Sequence, residues 1–314
     1  MIGITKRAPA LLVVLVGCMA DVTPGSSIER TRVLGVRVET EEDPDVATPA
    51  PGRRARLRLR VVHPEAPRPL SWALALCPAA DASGPRAACA GPPFAIGLQP
   101  DPIDAEPTVD FEVPDDAALG GARALLVGGV VCAASNPRLA SDATAPGCTG
   151  PREDETLLTA RIALEHEGQR NRNPSLDSLA VRLVEDDVPV PARADANELP
   201  VTACARVDAL PVVRRTRARS TVRIDGLAGA RERWTAEDGT ARIERWTLST
   251  FVDRGAELER QYSNVDDETA ETLELRWPDS RVLDPNGSLV RLHLVVRDGR
   301  GGTSWSTHPF CLQP

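Results

Sequence analysis

Along most of the chain apolar and polar residues alternate with a period of two. Ala55-Arg56-Leu57-Arg58-Leu59-Arg60-Val61 does so strictly, with Leu out of phase with Arg, the spacing of a strand with one buried face. Val33 to Val38, Trp72 to Cys77, Val109 to Val113, Arg123 to Val131 and Leu157 to Glu165 read the same way. Clusters of Pro, Gly and Asp separate them, as in antiparallel β structure. Helical spacing of useful length is nearly absent. One short turn is expected over Asp115 to Leu119. Near the C-terminus, Leu289 to Arg297, the turn Asp298-Gly299-Arg300-Gly301-Gly302, and Thr303 to Cys311 predict a hairpin, with Asp-Gly as its turn signal.

The pattern repeats weakly. Val33-Leu34-Gly35-Val36-Arg37-Val38-Glu39 aligns with Ser178-Leu179-Ala180-Val181-Arg182-Leu183-Val184-Glu185, and Ser71-Trp72-Ala73-Leu74 with Arg245-Trp246-Thr247-Leu248. Each half thus carries a Trp-bearing central strand. Gly226 to Gly239 predicts an extra hairpin in the second half, and EGQRNRNPS, Glu167 to Ser175, a polar linker between the halves. The expected fold is all-β, two tandem antiparallel sandwiches over residues 29–170 and 171–314. The ending VVRDGRGGTSW resembles the final hairpin of bacterial immunoglobulin-like and PKD-like sandwich modules. A Trp on a central strand fits the immunoglobulin pattern too.

The N-terminus, MIGITKRAPALLVVLVGC, joins a positive Lys6-Arg7 pair to an apolar stretch, Ala8 to Gly17. That is the layout of an export signal and is too short to span a bilayer. Leu15-Val16-Gly17-Cys18 resembles the lipobox of bacterial lipoproteins. The resemblance implies cleavage of residues 1–17, lipidation of Cys18, and a tether over 18–28. In that family Met19 after the Cys leans towards the outer membrane. The whole resembles two-domain envelope lipoproteins of GC-rich bacteria, anchored to the membrane through the N-terminal lipid.

Six cysteines remain: Cys77, Cys89, Cys132, Cys148, Cys204 and Cys311. An even number in an exported chain reads as a disulfide framework with many possible connectivities. Proximity favours Cys77–Cys89 and Cys132–Cys148, which leaves Cys204–Cys311 by default.

The net charge of −8 argues against a nucleic-acid partner. Losing Lys6 and Arg7 with the signal takes it to −10. Among the histidines, His166 begins HEGQR, where Arg170 stands in place of the second His of a zincin helix. His293 sits between Leu292 and Leu294 and is expected to face solvent with the arginines. His63 and His308 each precede a proline. No spacing joins the four into a ligand set, and no nucleophile elbow or phosphate loop occurs. Acidic runs such as Glu41-Glu42-Asp43 and Asp266-Asp267-Glu268 read as solvated loops; no calcium-loop pattern is present. No metal, cofactor or catalytic residue is implied. Trp234 and Trp277 lie among charged residues, where exposed indoles could hold a ligand. The reading is therefore a non-catalytic envelope protein whose immunoglobulin-like modules bind or scaffold an envelope protein. A glycan-binding lipoprotein using the two Trp is the alternative, and an envelope hydrolase a more distant one.

Overall fold

A computed structural model describes residues 25–314 except 81–87, 139–145, 167, 186, 201, 203, 205–209, 228–230, 236–238, 254–255, 266–269 and 279–282. Strands β1 (Arg32–Thr40), β2 (Arg54–Val62), β3 (Leu70–Pro78), β4 (Ala95–Ile103), β5 (Thr108–Glu112), β6 (Ala124–Ala133), β7 (Pro137–Arg138), β8 (Gly147–Cys148) and β9 (Glu155–Ala163) form the first half. They make a β1-β2-β5 sheet facing a β4-β3-β6-β9 sheet, with β7-β8 a small ribbon. The inward residues of both sheets meet in one core: Leu57, Leu59 and Val61 from β2, Trp72, Leu74 and Leu76 from β3, Leu125 and Val127 from β6. Helix α1 (Asp116–Leu119) is one turn, capped by the Asp115 carboxylate. Strand β4 shows no sequence alternation because Gly97, Pro100 and Pro102 interrupt it. It forms all the same at a sheet edge, where proline is tolerated.

The second half holds β10 (Ala180–Leu183), β11 (Val188–Pro189), β12 (Val212–Arg214), β13 (Arg219–Asp225), β14 (Arg233–Thr235) and β15 (Ala241–Ile243). Beyond them come β16 (Trp246–Val252), β17 (Glu257–Leu258), β18 (Tyr262–Val265), β19 (Ala270–Arg276), β20 (Ser288–Arg297) and β21 (Thr303–Gln313). Its sheets run β11-β10-β13-β19-β17 and β12-β21-β20-β16-β18. Every pairing is antiparallel except β12 with β21. This strand order, with a buried Trp on the third main strand of each half, is that of immunoglobulin-like sandwiches. Trp72 and Trp246 are 6% and 1% exposed. The weak sequence repeat has a structural meaning, since β1 and β10 are the opening strands of the two sandwiches. The extra hairpin is β14-β15, which begins inside the expected 226–239 span but returns beyond it, over Ala241–Ile243.

The disulfides are Cys77–Cys89, Cys132–Cys148 and Cys204–Cys311. None bridges the two sheets of a sandwich. Cys77 and Cys132 stand on the outward face of β3 and β6, and each closes the loop that follows its strand. Cys311 instead ties β21 to the 199–210 segment, packing with Leu199, Leu210 and Leu289.

The halves are fused. From Leu289 to Val296 every residue of β20 is buried. Leu292, Leu294 and Val296 fill the second core. The opposite face, Arg291, His293 and Val295, is covered by the first sandwich and, at Arg291, also by the 196–199 segment. Ile28, Leu34 and Val62 meet Phe251 and Val295 there, with Trp305 against them. Gly35 lets the indole lie flat, since a Cβ at that position would sit 3.0 Å from the Trp305 ring.

The expected polar linker is the mortar of this joint. The side-chain amide of Asn173 donates to Val38 O at 2.8 Å, and its carbonyl accepts from Thr303 N at 3.0 Å. It thereby joins the backbones of β1 and β21. The last residues of the 18–28 segment pair with β16. Ser26 O accepts from Val252 N, and Val252 O accepts from Ile28 N, both at 2.9 Å. Residues 26–28 are buried against the second sandwich.

Candidate functional site

Each sheet of the first sandwich has two edge strands, and along one side of the sandwich these are β1 of the three-stranded sheet and β9 of the four-stranded sheet. These edges face each other across a groove of about 1140 Å³. Val33 and Val36 from β1, with Leu158 and Ala160 from β9, are core residues left partly open at its floor. The second sandwich supplies the far wall with its 297–303 turn and the β14-β15 hairpin.

Local sequence shapes that wall. Asp298 is 2% exposed, and its carboxylate accepts from Arg300 N at 2.7 Å and Gly302 N at 2.9 Å. These two bonds fold the RDGRGG turn. Gly302 is required because a Cβ would overlap Asp298 and the Arg172 carbonyl. Asn171, 1% exposed, donates through Nδ2 to Asp298 Oδ2 at 2.7 Å. Its Oδ1 is buried with no hydrogen-bond partner, and the residue lines the groove. Burial holds the Asp298 carboxyl above the usual aspartate range.

Arg297 donates to Ser249 Oγ at 2.9 Å and to Leu34 O at 2.6 Å. It forms no ion pair among the described residues. Burial lowers its pKa, as it must for a cation with no carboxylate beside it. Arg300 does have acids, reaching Glu244 Oε1 at 3.2 Å and Glu232 Oε2 at 3.7 Å. The Arg300 guanidinium lies 4.5 Å from the Trp234 ring centroid and that of Arg242 5.8 Å. Glu244 is 3% exposed beneath Trp246, whose Nε1 donates to it at 3.3 Å. Burial, with Asp298 nearby, pushes its pKa up to about 7.

The sequence-predicted residues scatter. Trp234 is half-buried on the groove wall. Trp277 is not an exposed indole: it is 4% exposed, packs edge-on to Phe310 at 5.9 Å and donates to Ser220 Oγ at 2.8 Å. Leu273, Leu275 and Trp277 alternate inward together; Arg276 and Pro278 obscured that phase. His293 does not face solvent. Its side of β20 is polar as read, but that side is the joint between the halves, and burial takes its pKa well below 6.5. Cys18, residues 1–17 and the acidic run at Asp266 lie outside the described residues. Asn171 and Arg297 were missed; the signal for them was a polar linker and a turn whose partners lie about 130 residues away.

No protein-family model and no curated protein sequence matches the chain. Among solved structures it is similar to the D00–D0 domain of intimin, with 8% identity, a TM-score of 0.21, and coverage of 88% of this chain and 99% of that one. It is also similar to a Salmonella alpha-2-macroglobulin mutant, with 13% identity and a TM-score of 0.20. There the match covers 90% of this chain but only 16% of that much longer one.

Proposed function

We propose that the chain is a non-catalytic, lipid-anchored protein of the bacterial cell envelope, at the outer membrane, whose two immunoglobulin-like modules act as one binding or scaffolding body. The observation that carries this reading is the joint. Asn173, Arg297 and the Trp305–Gly35 contact fix one sandwich on the other, so residues from both halves line a single groove of fixed shape. A fixed pair holds its binding surfaces without an ordering cost on association. Three disulfides suit an oxidising compartment. The Cys18 lipid supplies the anchor, and two acyl chains are sufficient for stable attachment. The test is crosslinking and affinity capture of the full lipidated protein from its native envelope, with mass-spectrometric readout. A dominant protein partner, kept in a Cys18→Ser form that no longer sediments with membranes, is the expected result. Capture of glycan alone would replace this reading with the glycan-binding one.

A further inference from the structure

We infer that the groove between β1 and β9 binds an extended, acidic peptide segment that adds to the edge of β9; this deepens the binding-module reading and rests on it. Four arginines line the groove, Arg161, Arg242, Arg297 and Arg300, and among the described residues no Asp or Glu does. Arg300 is balanced by Glu244 and Glu232, so in a chain of net charge −8 the local excess of positive charge rests on Arg161 and Arg297, and it favours acidic partners over basic ones. Arg297 is the sharpest case, a half-buried guanidinium held by Ser249 Oγ and Leu34 O with no carboxylate in contact among the described residues. An acidic side chain laid along the groove supplies the missing counter-ion.

The second observation is Asn171. Its Oδ1 is an acceptor enclosed in protein, and a buried acceptor without a donor costs free energy. A peptide N–H is the donor an incoming main chain brings.

The third is the edge itself. Strand β9 pairs with β6 on one side only, and its outer row of backbone groups faces the groove. Strand addition satisfies such a row with main-chain hydrogen bonds, while alternate side chains enter pockets. The open floor at Val33, Val36, Leu158 and Ala160 takes small apolar side chains at every second position. The occupant is therefore a strand with apolar residues on one face and acids on the other.

The experiment uses the full-length protein in detergent and a fluorescent nine-residue peptide, the length of β9, of alternating valine and aspartate. Fluorescence anisotropy should show saturable binding. The same peptide with lysine for aspartate should bind at least about tenfold more weakly, a difference near 1.4 kcal/mol. N-methylation of alternate amides along one edge should abolish binding. Arg161→Glu, at an exposed position where folding is not at stake, should weaken the aspartate peptide and strengthen the lysine one. Equal affinity for the two peptides, or full binding by the N-methylated form, would overturn the inference. So would the absence of binding to the aspartate peptide. A protein captured from the envelope whose crosslinks fall away from β1 and β9 would also overturn it, while leaving the binding-module reading intact.

Discussion

Arg291 and Asp253 form a 2.8 Å ion pair with side-chain exposures of 2% and 0%. The pair is also a three-way junction. Arg291 donates to Ala196 O, Leu199 O and, across the joint, Glu65 O, while Asp253 accepts the backbone N–H of Arg291. Removing one member strands the other without water. Asp253→Ala should therefore cost about 3–5 kcal/mol, measured by urea denaturation. A loss below about 1 kcal/mol would show that the site rehydrates.

Trp277 and Trp234 should separate cleanly. Trp277→Ala opens a cavity in the second core and should cost about 3–5 kcal/mol. Trp234→Ala removes an indole flanked by two guanidinium groups and should cost only about 1 kcal/mol. Thermal denaturation of the two variants side by side decides it.

Glu244 should make stability fall as pH rises. Its folded pKa of about 7 lies above the ordinary 4.5, so the folded state holds the proton more tightly than the unfolded one. That stabilisation is complete below about 4.5 and lost as pH climbs through 7. Glu244→Gln should flatten this part of the profile, gaining on the parent by about 2–3 kcal/mol between pH 4.5 and 8. Parallel denaturant curves at several pH values would show the difference growing; a constant difference would refute it.

His63 acts in the opposite sense. Burial, aided by Arg68, lowers its pKa to about 4, and the ring accepts or donates one bond with Thr31 Oγ1 at 3.0 Å. The unfolded chain takes up its proton first, so stability drops as pH falls from 6.5 towards 4. His63→Gln should blunt that acid loss, read by the same curves.

Reduction should act unequally on the three disulfides. Cys204–Cys311 closes 107 residues and the others 12 and 16. On loop entropy, a Cys204→Ala/Cys311→Ala double variant should lose roughly 4–5 kcal/mol and each of the others about 3. An inverted order in thermal unfolding would mean that local packing dominates.

The sequence made the strands legible where one face is apolar and the other polar, as in β2 and β20. It could not say what lies over the polar face. Arg291 and His293 alternate as solvent-facing residues do; the 196–199 segment and Asp253, together with the first sandwich, set by contacts more than 200 residues apart in sequence, turn them inward. The linker misled in the same way, because Asn171 and Asn173 are polar for the sake of backbone groups that a strand pattern does not show. Trp277 was recoverable from the phase of Leu273 and Leu275. The groove was not, since it is a space between two edges and has no motif.

The short pairing of Ser26 and Ile28 with Val252 decides how force would travel through the molecule. A chain held upstream of residue 25 is gripped by β16 of the second sandwich before it enters the first. Tension applied upstream of residue 25 would thus be borne first by the C-terminal half. The walls of the groove would keep their spacing under such a pull.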